Sequence, residues 1–372
     1  MPIPGRVPRC ESGFRDNTII GVTFRAAILS IHRSARRALP SRAGAILTLA
    51  ILSGCGGYAD FVLPPPQGRT TPVRLVWRPR PEPVLQRGQP GEWDSADALN
   101  PSVVRWGGRW LNLYSGYDGH TWHTGAATSG DGIAWTKLGR VLSPAPGTWE
   151  GAYIAANGSA LAEGTRLLYW YQAGDPPRIG LAETTDGKRW RKRPEPVVGV
   201  GPRGSWDERG VADPYVIRAG GSYYMYFLGQ DRARRQRLGV ARSGDGIHWE
   251  KFRGNPILEL GDFGAFDENG LGEPAVWTQH GRYWMIYTGR DRGEVRRMGF
   301  AASADGVRWS RAQEGPVIAG ESAWNAKVVC DASVDHDGNR VRVWFGGGDV
   351  AHPAENIHGQ IGYGEIEMEA VR

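Results

Sequence analysis

Four copies of one turn restrict what this chain can fold into. Ser/Thr-x-Asp-Gly-x-x-Trp occurs as SGDGIAW (129–135), TTDGKRW (184–190), SGDGIHW (243–249) and SADGVRW (303–309), with the Trp residues 55, 59 and 60 positions apart. A period of that length means one supersecondary unit used repeatedly. Ahead of each turn the same parts recur in the same order. An aromatic–polar pair opens the unit: Trp93-Asp94, Trp149-Glu150, Trp206-Asp207, Phe266-Asp267 and Trp324-Asn325. Seven or eight residues later comes an acid or amide: Asn100, Asn157, Asp213, Glu273 and Asp331. An aromatic segment of period two follows (RWLNLY 109–114, RLLYWY 166–171, SYYMYF 222–227, RYWMIY 282–287, RVRVWF 340–345), then a Gly-containing strand, and the Asp-Gly turn delivers a fourth.

Four short strands in each unit of about 58 residues is the pattern of propeller blades, whose sheets pack face to face around an axis. The 16 Trp, 54 Gly and 25 Pro fit an all-β chain of many short strands, and the aromatic content excludes a disordered one. The fifth copy stops after IGYGEIEMEAVR, whereas residues 74–85, RLVWRPRPEPVL, match the segment that follows each turn. The expected fold is therefore a five-bladed β-propeller of four-stranded antiparallel blades over residues 73–372. Its blades cover about 93–142, 149–198, 206–258, 266–318, and 324–372 plus 73–85, so the N-terminal strand closes the last blade and removes an exposed sheet edge.

Upstream, Arg33, Arg36, Arg37 and Arg42 precede an apolar run, Ala43 to Leu52, followed by Leu52-Ser53-Gly54-Cys55. That order is a secretion signal, too short to span a bilayer. Its end resembles the lipobox of bacterial lipoproteins, which implies that residues 1–55 are a leader and signal peptide and that Cys55 carries lipid. Residues 56–72, rich in Gly and Pro, read as a flexible tether. The expectation is an exported cell-envelope lipoprotein that meets the membrane only through its anchor. Cys10, Cys55 and Cys330 leave no disulfide pair. The net charge of +6 is dispersed through the repeats, and only five of the 45 Lys+Arg are Lys, a bias of composition. No basic helix accompanies it, so a nucleic-acid partner is not expected.

In a propeller the first strand of each blade lies nearest the axis, so Asn100, Asn157, Asp213, Glu273 and Asp331 would share a central pocket. Carboxylates gathered in a narrow funnel raise one another's pKa, which marks the three acids as catalytic candidates. Trp93, Trp149, Trp206 and Trp324, with Phe266, are either aromatic platforms for sugar faces or packing between blades. The loop acids Asp118, Asp175, Asp231, Asp291 and Asp349 read as turn formers. Non-repeated loop residues are specificity candidates: His120, Trp122 and His123; Arg232, Arg234 and Arg237; Arg292, Arg296 and Arg297; His352 and His358.

The Asp-Gly turns resemble the Asp boxes of sialidase-type propellers, which implies a structural role. Ala212-Asp213-Pro214 and Gly272-Glu273-Pro274 resemble the five-bladed glycoside hydrolase families 43, 62, 32, 68 and 130, among them arabinanases, invertases, levansucrases and mannoside phosphorylases. In families 43 and 32 the resemblance implies Asp, Asp and Glu on successive blades, the Glu being the general acid. Taken by order, Glu273 is the acid and Asp213 the middle Asp, with Asn157 where the first Asp belongs and Glu150 or Asp97 as substitutes. Taken by local likeness, Asp213 is the base, and Glu273 and Asp331 complete the trio. Either way the resemblance implies a glycosidase, inverting, with a carbohydrate substrate and with neither cofactor nor metal. Two other readings stay open. One is a phosphorylase in which the arginines of 230–237 and 290–297 hold phosphate. The other is a glycan-binding propeller without catalysis, given the amides at Asn100 and Asn157.

Overall fold

The computed structural model describes residues 57–371; the leader, the signal sequence and Cys55 lie outside the described residues. Apart from one short 3-10 turn, Ala323–Asn325, all regular structure among the described residues is strand. None of its helices is long and apolar enough to cross a membrane.

Strands β1 (Tyr58–Ala59) and β2 (Val73–Pro79) come first. Four strands then form a first antiparallel unit: β3 (Asp97–Trp106), β4 (Arg109–Tyr117), β5 (Trp122–Ser129) and β6 (Trp135–Leu142). The second unit is β7 (Ala155–Glu163), β8 (Arg166–Ala173), β9 (Arg178–Thr184) and β10 (Arg191–Lys192). The third is β11 (Gly210–Ala219), β12 (Ser222–Gln230), β13 (Gln236–Ser243) and β14 (Trp249–Phe252). The fourth is β15 (Gly270–Gln279), β16 (Arg282–Arg290), β17 (Arg296–Ser303) and β18 (Ser310–Arg311). The fifth has β19 (Val328–Asp337), β20 (Arg340–Gly348) and β21 (Gln360–Ala370), and β2 lies antiparallel on β21 with Trp77 opposite Ile366.

The second strand of each unit buries both faces, which is why it reads as a run of aromatic and aliphatic residues. Its side chains interleave with those of the neighbouring unit. Leu111 and Leu113 meet Leu167 and Tyr169; Trp170 meets Met225; Tyr226 meets Met285; Ile286 and Phe300 meet Val341 and Val343. Trp344 and Tyr363 of the fifth unit pack with Val103 and Trp110 of the first.

The Asp-Gly turns fasten these neighbours. In each, the Ser or Thr hydroxyl accepts from the Asp and Gly amides, and the Asp carboxylate accepts the next two amides, as Asp131 does from Ile133 (2.9 Å) and Ala134 (2.8 Å). In three of the four the Gly carbonyl then takes a donor from another unit: Trp170 Nε1 to Gly246 (2.9 Å), Tyr226 Oη to Gly306 (2.8 Å) and Trp344 Nε1 to Gly132 (2.6 Å).

Three of the opening pairs are clamps. The polar member is buried and ties the second strand to the fourth: Glu150 accepts from Tyr171 Oη (2.5 Å) and Lys192 Nζ (2.6 Å), and Asp267 accepts from Tyr287 Oη (3.1 Å) and Arg311. Asp94 does the same with Tyr114 Oη (2.9 Å) and Lys137, while Asp207, with Phe227 on the second strand, holds only Lys251 of the fourth. Three of the five lysines therefore pair with an opening acid.

One expectation is corrected. Residues 57–72 are not a free tether, because Phe61 and Leu63 bury their side chains against Tyr226, Tyr283 and Met285. β1 pairs in parallel with β14, the Leu63 amide donates to Asp305 (2.9 Å), and Tyr283 Oη donates to the Pro64 carbonyl (2.6 Å). Two large apolar side chains in a Gly/Pro-rich stretch are enough to strap it across the third and fourth units.

Candidate active site

The five acid-or-amide positions share one backbone device. On the first strand of every unit the register slips by one residue, so that two residues face one on the second strand: after Leu99, Ala156, Ala212, Gly272 and Cys330. The first bulged residue is in each case left-handed, with φ of 48° at Asn100, 49° at Asn157, 48° at Asp213, 51° at Glu273 and 58° at Asp331. A bulge re-aims a side chain that regular pleating would send elsewhere. Asn and Asp tolerate the left-handed region; for Glu273 it is strained, and such strain concentrates where a side chain has work to do.

All five side chains line one open cavity of about 230 Å³. Asp331 is buried; Asp213 and Glu273 keep some exposed surface, directed into the cavity. The Asp331 amide donates to Glu273 Oε2 (3.3 Å) and Thr288 Oγ1 (3.3 Å), and the Asn100 amide to Asp331 Oδ2 (3.4 Å). Asn157 is held reciprocally by Ser115: its amide donates to Oγ (2.9 Å), which donates to Oδ1 (3.0 Å). Arg290 and the buried Arg296 stand on the wall, Arg290 donating to Gln236 Oε1 (2.7 Å).

Burial, and then the Glu273 charge, push the Asp213 carboxyl up to about 8, against the pull of the Asn157 side chain and Arg296. Burial and Glu273 raise Asp331 well above the usual carboxylate range. The Cys330 thiol, which donates to Asp331 Oδ2 (3.0 Å), is also driven up by burial and remains protonated. Glu273, Cys330 and Asp331 offer three ligand atoms within 4.8 Å of one another. The Arg296 guanidinium faces the same three groups.

The structure thus brings Asp213, Glu273, Asp331, Asn100 and Asn157 together. It does not bring Trp93, Trp149, Trp206 or Trp324 to the cavity, and this corrects their reading as sugar platforms. Each lies over small residues of its own unit: Trp93 over Gly116 and Gly125, Trp149 over Gly180, Trp206 over Gly229 and Gly239, Trp324 over Gly347 and Gly362. There a Cβ would collide with the indole. His123 is likewise off the cavity, buried between Ser143 Oγ (3.1 Å) and Arg140. Arg292 pairs with Glu268 (3.4 Å) and lies over the exposed Phe263 ring. The substitute carboxylates are also spoken for, Glu150 in its clamp and Asp97 by three backbone amides.

Several lining residues escaped sequence reasoning: Tyr153, Gln172, Gln236, Thr288 and Glu355. Gln172 and Thr288 had a signal, since each is a polar residue at the same register of an otherwise apolar second strand. Tyr153 and Glu355 sit in non-repeated loops and had none.

Residues 165–236, a stretch that includes Asp213, match the family described as beta-1,4-mannooligosaccharide phosphorylase. An uncharacterised protein of Mycobacterium tuberculosis is 27% identical over 230 residues, covering 57% of this chain and 75% of the relative. Among solved structures, the beta-1,2-mannobiose phosphorylase of Listeria innocua superposes with a TM-score of 0.61 at 13% identity, over 79% of this chain and 97% of that one. A family 117 glycoside hydrolase of Zobellia galactanivorans gives 0.56 at 16% identity, over 79% and 90%. At these identities the likeness carries the fold: a propeller of the kind shared by glycoside hydrolases and phosphorylases.

Proposed function

We propose that this protein cleaves a glycosidic bond in the axial cavity of a closed five-bladed propeller, with Asp213 giving its proton to the departing oxygen. The observation that supports this reading is Asp213 itself. A general acid must hold its proton at working pH, and Asp213 does so up to about 8 while sharing the axis of the cavity with Glu273 and Asp331. The role passes from Glu273, favoured by family order, to Asp213 because the Glu273 charge is one of the causes that keep Asp213 protonated. In the reaction the bond from the anomeric carbon to oxygen breaks as that oxygen takes the Asp213 proton. Water adds to the anomeric carbon and passes its own proton to Glu273. Arg296 offsets the negative charge left on Asp213. The five-blade, closed reading rests on β2 completing the last unit and on the packing of Trp344 and Tyr363 against the first.

Phosphate in place of water is the second reading. Arg290 and Arg296 on the cavity wall and the match of residues 165–236 to a phosphorylase family favour it. We also place the protein outside the cytoplasm, anchored through Cys55; lipid labelling that persists in Cys55→Ser contradicts the anchor.

The test is a panel of arabinan, levan and 1,4-linked mannan, with their oligosaccharides, incubated with and without inorganic phosphate. Free reducing sugar indicates hydrolysis, and sugar 1-phosphate formed only with phosphate indicates phosphorolysis. Binding of a panel glycan without turnover contradicts both.

A further inference from the structure

We propose that the loop of residues 349–359, latched by Tyr153, walls off one side of the cavity and confines cleavage to the ends of glycan chains. The inference rests on the glycoside-cleaving reading of that cavity.

The loop belongs to the fifth unit, between β20 and β21, yet other units hold it. The Asp97 carboxylate, at the start of the first unit, accepts the amides of Asn356 (2.6 Å), Ile357 (3.1 Å) and Gly359 (2.7 Å). Left-handed φ values at Asn356 (58°) and His358 (60°) curl the chain around that carboxylate, and Ile357 is fully buried beneath it. From the fourth unit, Arg296 donates to the carbonyls of His352 (3.0 Å) and Pro353 (2.8 Å), and Arg290 to Pro353 (3.4 Å). From the segment leading into the second unit, Tyr153 Oη donates to Glu355 Oε2 (2.8 Å) across 202 residues of chain. Burial and the Glu355 charge raise the Tyr153 phenol, so it stays a donor across the working pH range.

Pro353, Ala354, Glu355 and Tyr153 themselves line the cavity. Behind them Trp122, stacked on Tyr117 with ring centres 4.8 Å apart, bonds its backbone amide to the Tyr153 carbonyl (2.8 Å). A chain continuing past the cleaved residue on this side would have to pass through these atoms. The volume agrees: about 230 Å³ is smaller than the roughly 300–1,000 Å³ typical of pockets that engulf a drug-sized ligand. Such a space holds a terminal portion of a glycan. The arginines also acquire a second task, since the donors they spend on His352 and Pro353 set the height of the wall.

The experiment compares the wild type, Tyr153→Phe and the double variant Tyr153→Ala/Glu355→Ala on whichever of arabinan, levan or 1,4-linked mannan is turned over fastest. Products are resolved by length over time. Tyr153 is 48% exposed, so the variants keep the fold, which a melting curve checks. The wild type is expected to release one short product from chain ends. The double variant is expected to raise the ratio of internal to terminal cleavage by about tenfold or more, and Tyr153→Phe by less. Internal cleavage by the wild type overturns the wall, as does an unchanged product pattern in the double variant. If the wild type turns over none of the three glycans, the underlying reading falls and the wall falls with it.

Discussion

Two families of carboxyl groups repeat through this chain, and their environments drive them in opposite directions. The turn acids lie between the third and fourth strands of four of the units. Backbone amides of Ala134 and Ile133 hold Asp131 at about 2, and those of Arg189 and Lys188 lower Asp186. The axial acids lie on the innermost strands, where burial and one another's charge raise Asp213 to about 8 and push Asp331 well above the usual carboxylate range. Asp131 and Asp213 are the same residue type in the same repeat; what differs is whether amides or desolvation and like charge surround the carboxyl. Repetition fixes where a side chain goes, and the neighbours decide what it does.

The sharpest way to break this comparison is to take the acidic proton away from the axis. Asp213→Asn is expected to lower kcat/KM on the active panel glycan by about 10²–10⁴-fold with the fold retained; a loss below about tenfold removes Asp213 from the acid role. Trp206→Ala tests the opening pairs. Truncating a packed Trp typically costs about 3–5 kcal/mol, to be read in denaturant melts, and KM in the folded fraction should stay within about twofold. A large KM rise would return Trp206 to the substrate.

The two families also differ in their response to pH. Activity should fall as pH rises through about 8, because Asp213 then loses the proton it donates. Stability follows the same group. Its folded pKa lies above that of an unfolded Asp, so its contribution is whole below about pH 4 and is lost as pH rises through about 8. Asp213→Asn should therefore melt above the wild type at pH 9 and level with it at pH 4. The smallest effect belongs to the turns. Asp305→Ala gives up the bonds from Val307 (3.1 Å) and Arg308 (2.9 Å) and should cost about 1 kcal/mol of stability, with activity unchanged.

The strand pattern was legible because the second strands are apolar on both faces and the turns punctuate them. The axial register was legible because one bulge recurs in every unit, leaving a polar residue at a fixed distance from each opening aromatic. Neither signal says what surrounds a side chain. Trp93 and its counterparts look alike as sugar platforms or as lids over glycines, and the glycines that settle the matter lie on other strands. The scarcity of lysine reads as composition bias, yet Lys137, Lys192 and Lys251 each pair with an opening acid. Residues 56–72 read as a tether because Gly and Pro outweigh Phe61 and Leu63 in composition, though not in buried area. Tyr153 and Glu355 meet across 202 residues in unrepeated loops, where one sequence offers no pairing signal.

One titration bears directly on the contrast between axis and turns. Protein labelled with 13C at the aspartate carboxyls, with Asp213 and Asp131 assigned by their Asn variants, can be followed by NMR from pH 2.5 to 9.5. The Asp213 signal should move with a midpoint near 8, while Asp131 is ionised throughout nearly all of that range. An Asp213 carboxyl that is already ionised at pH 6 contradicts the assignment of the axial cavity as a site of acid catalysis.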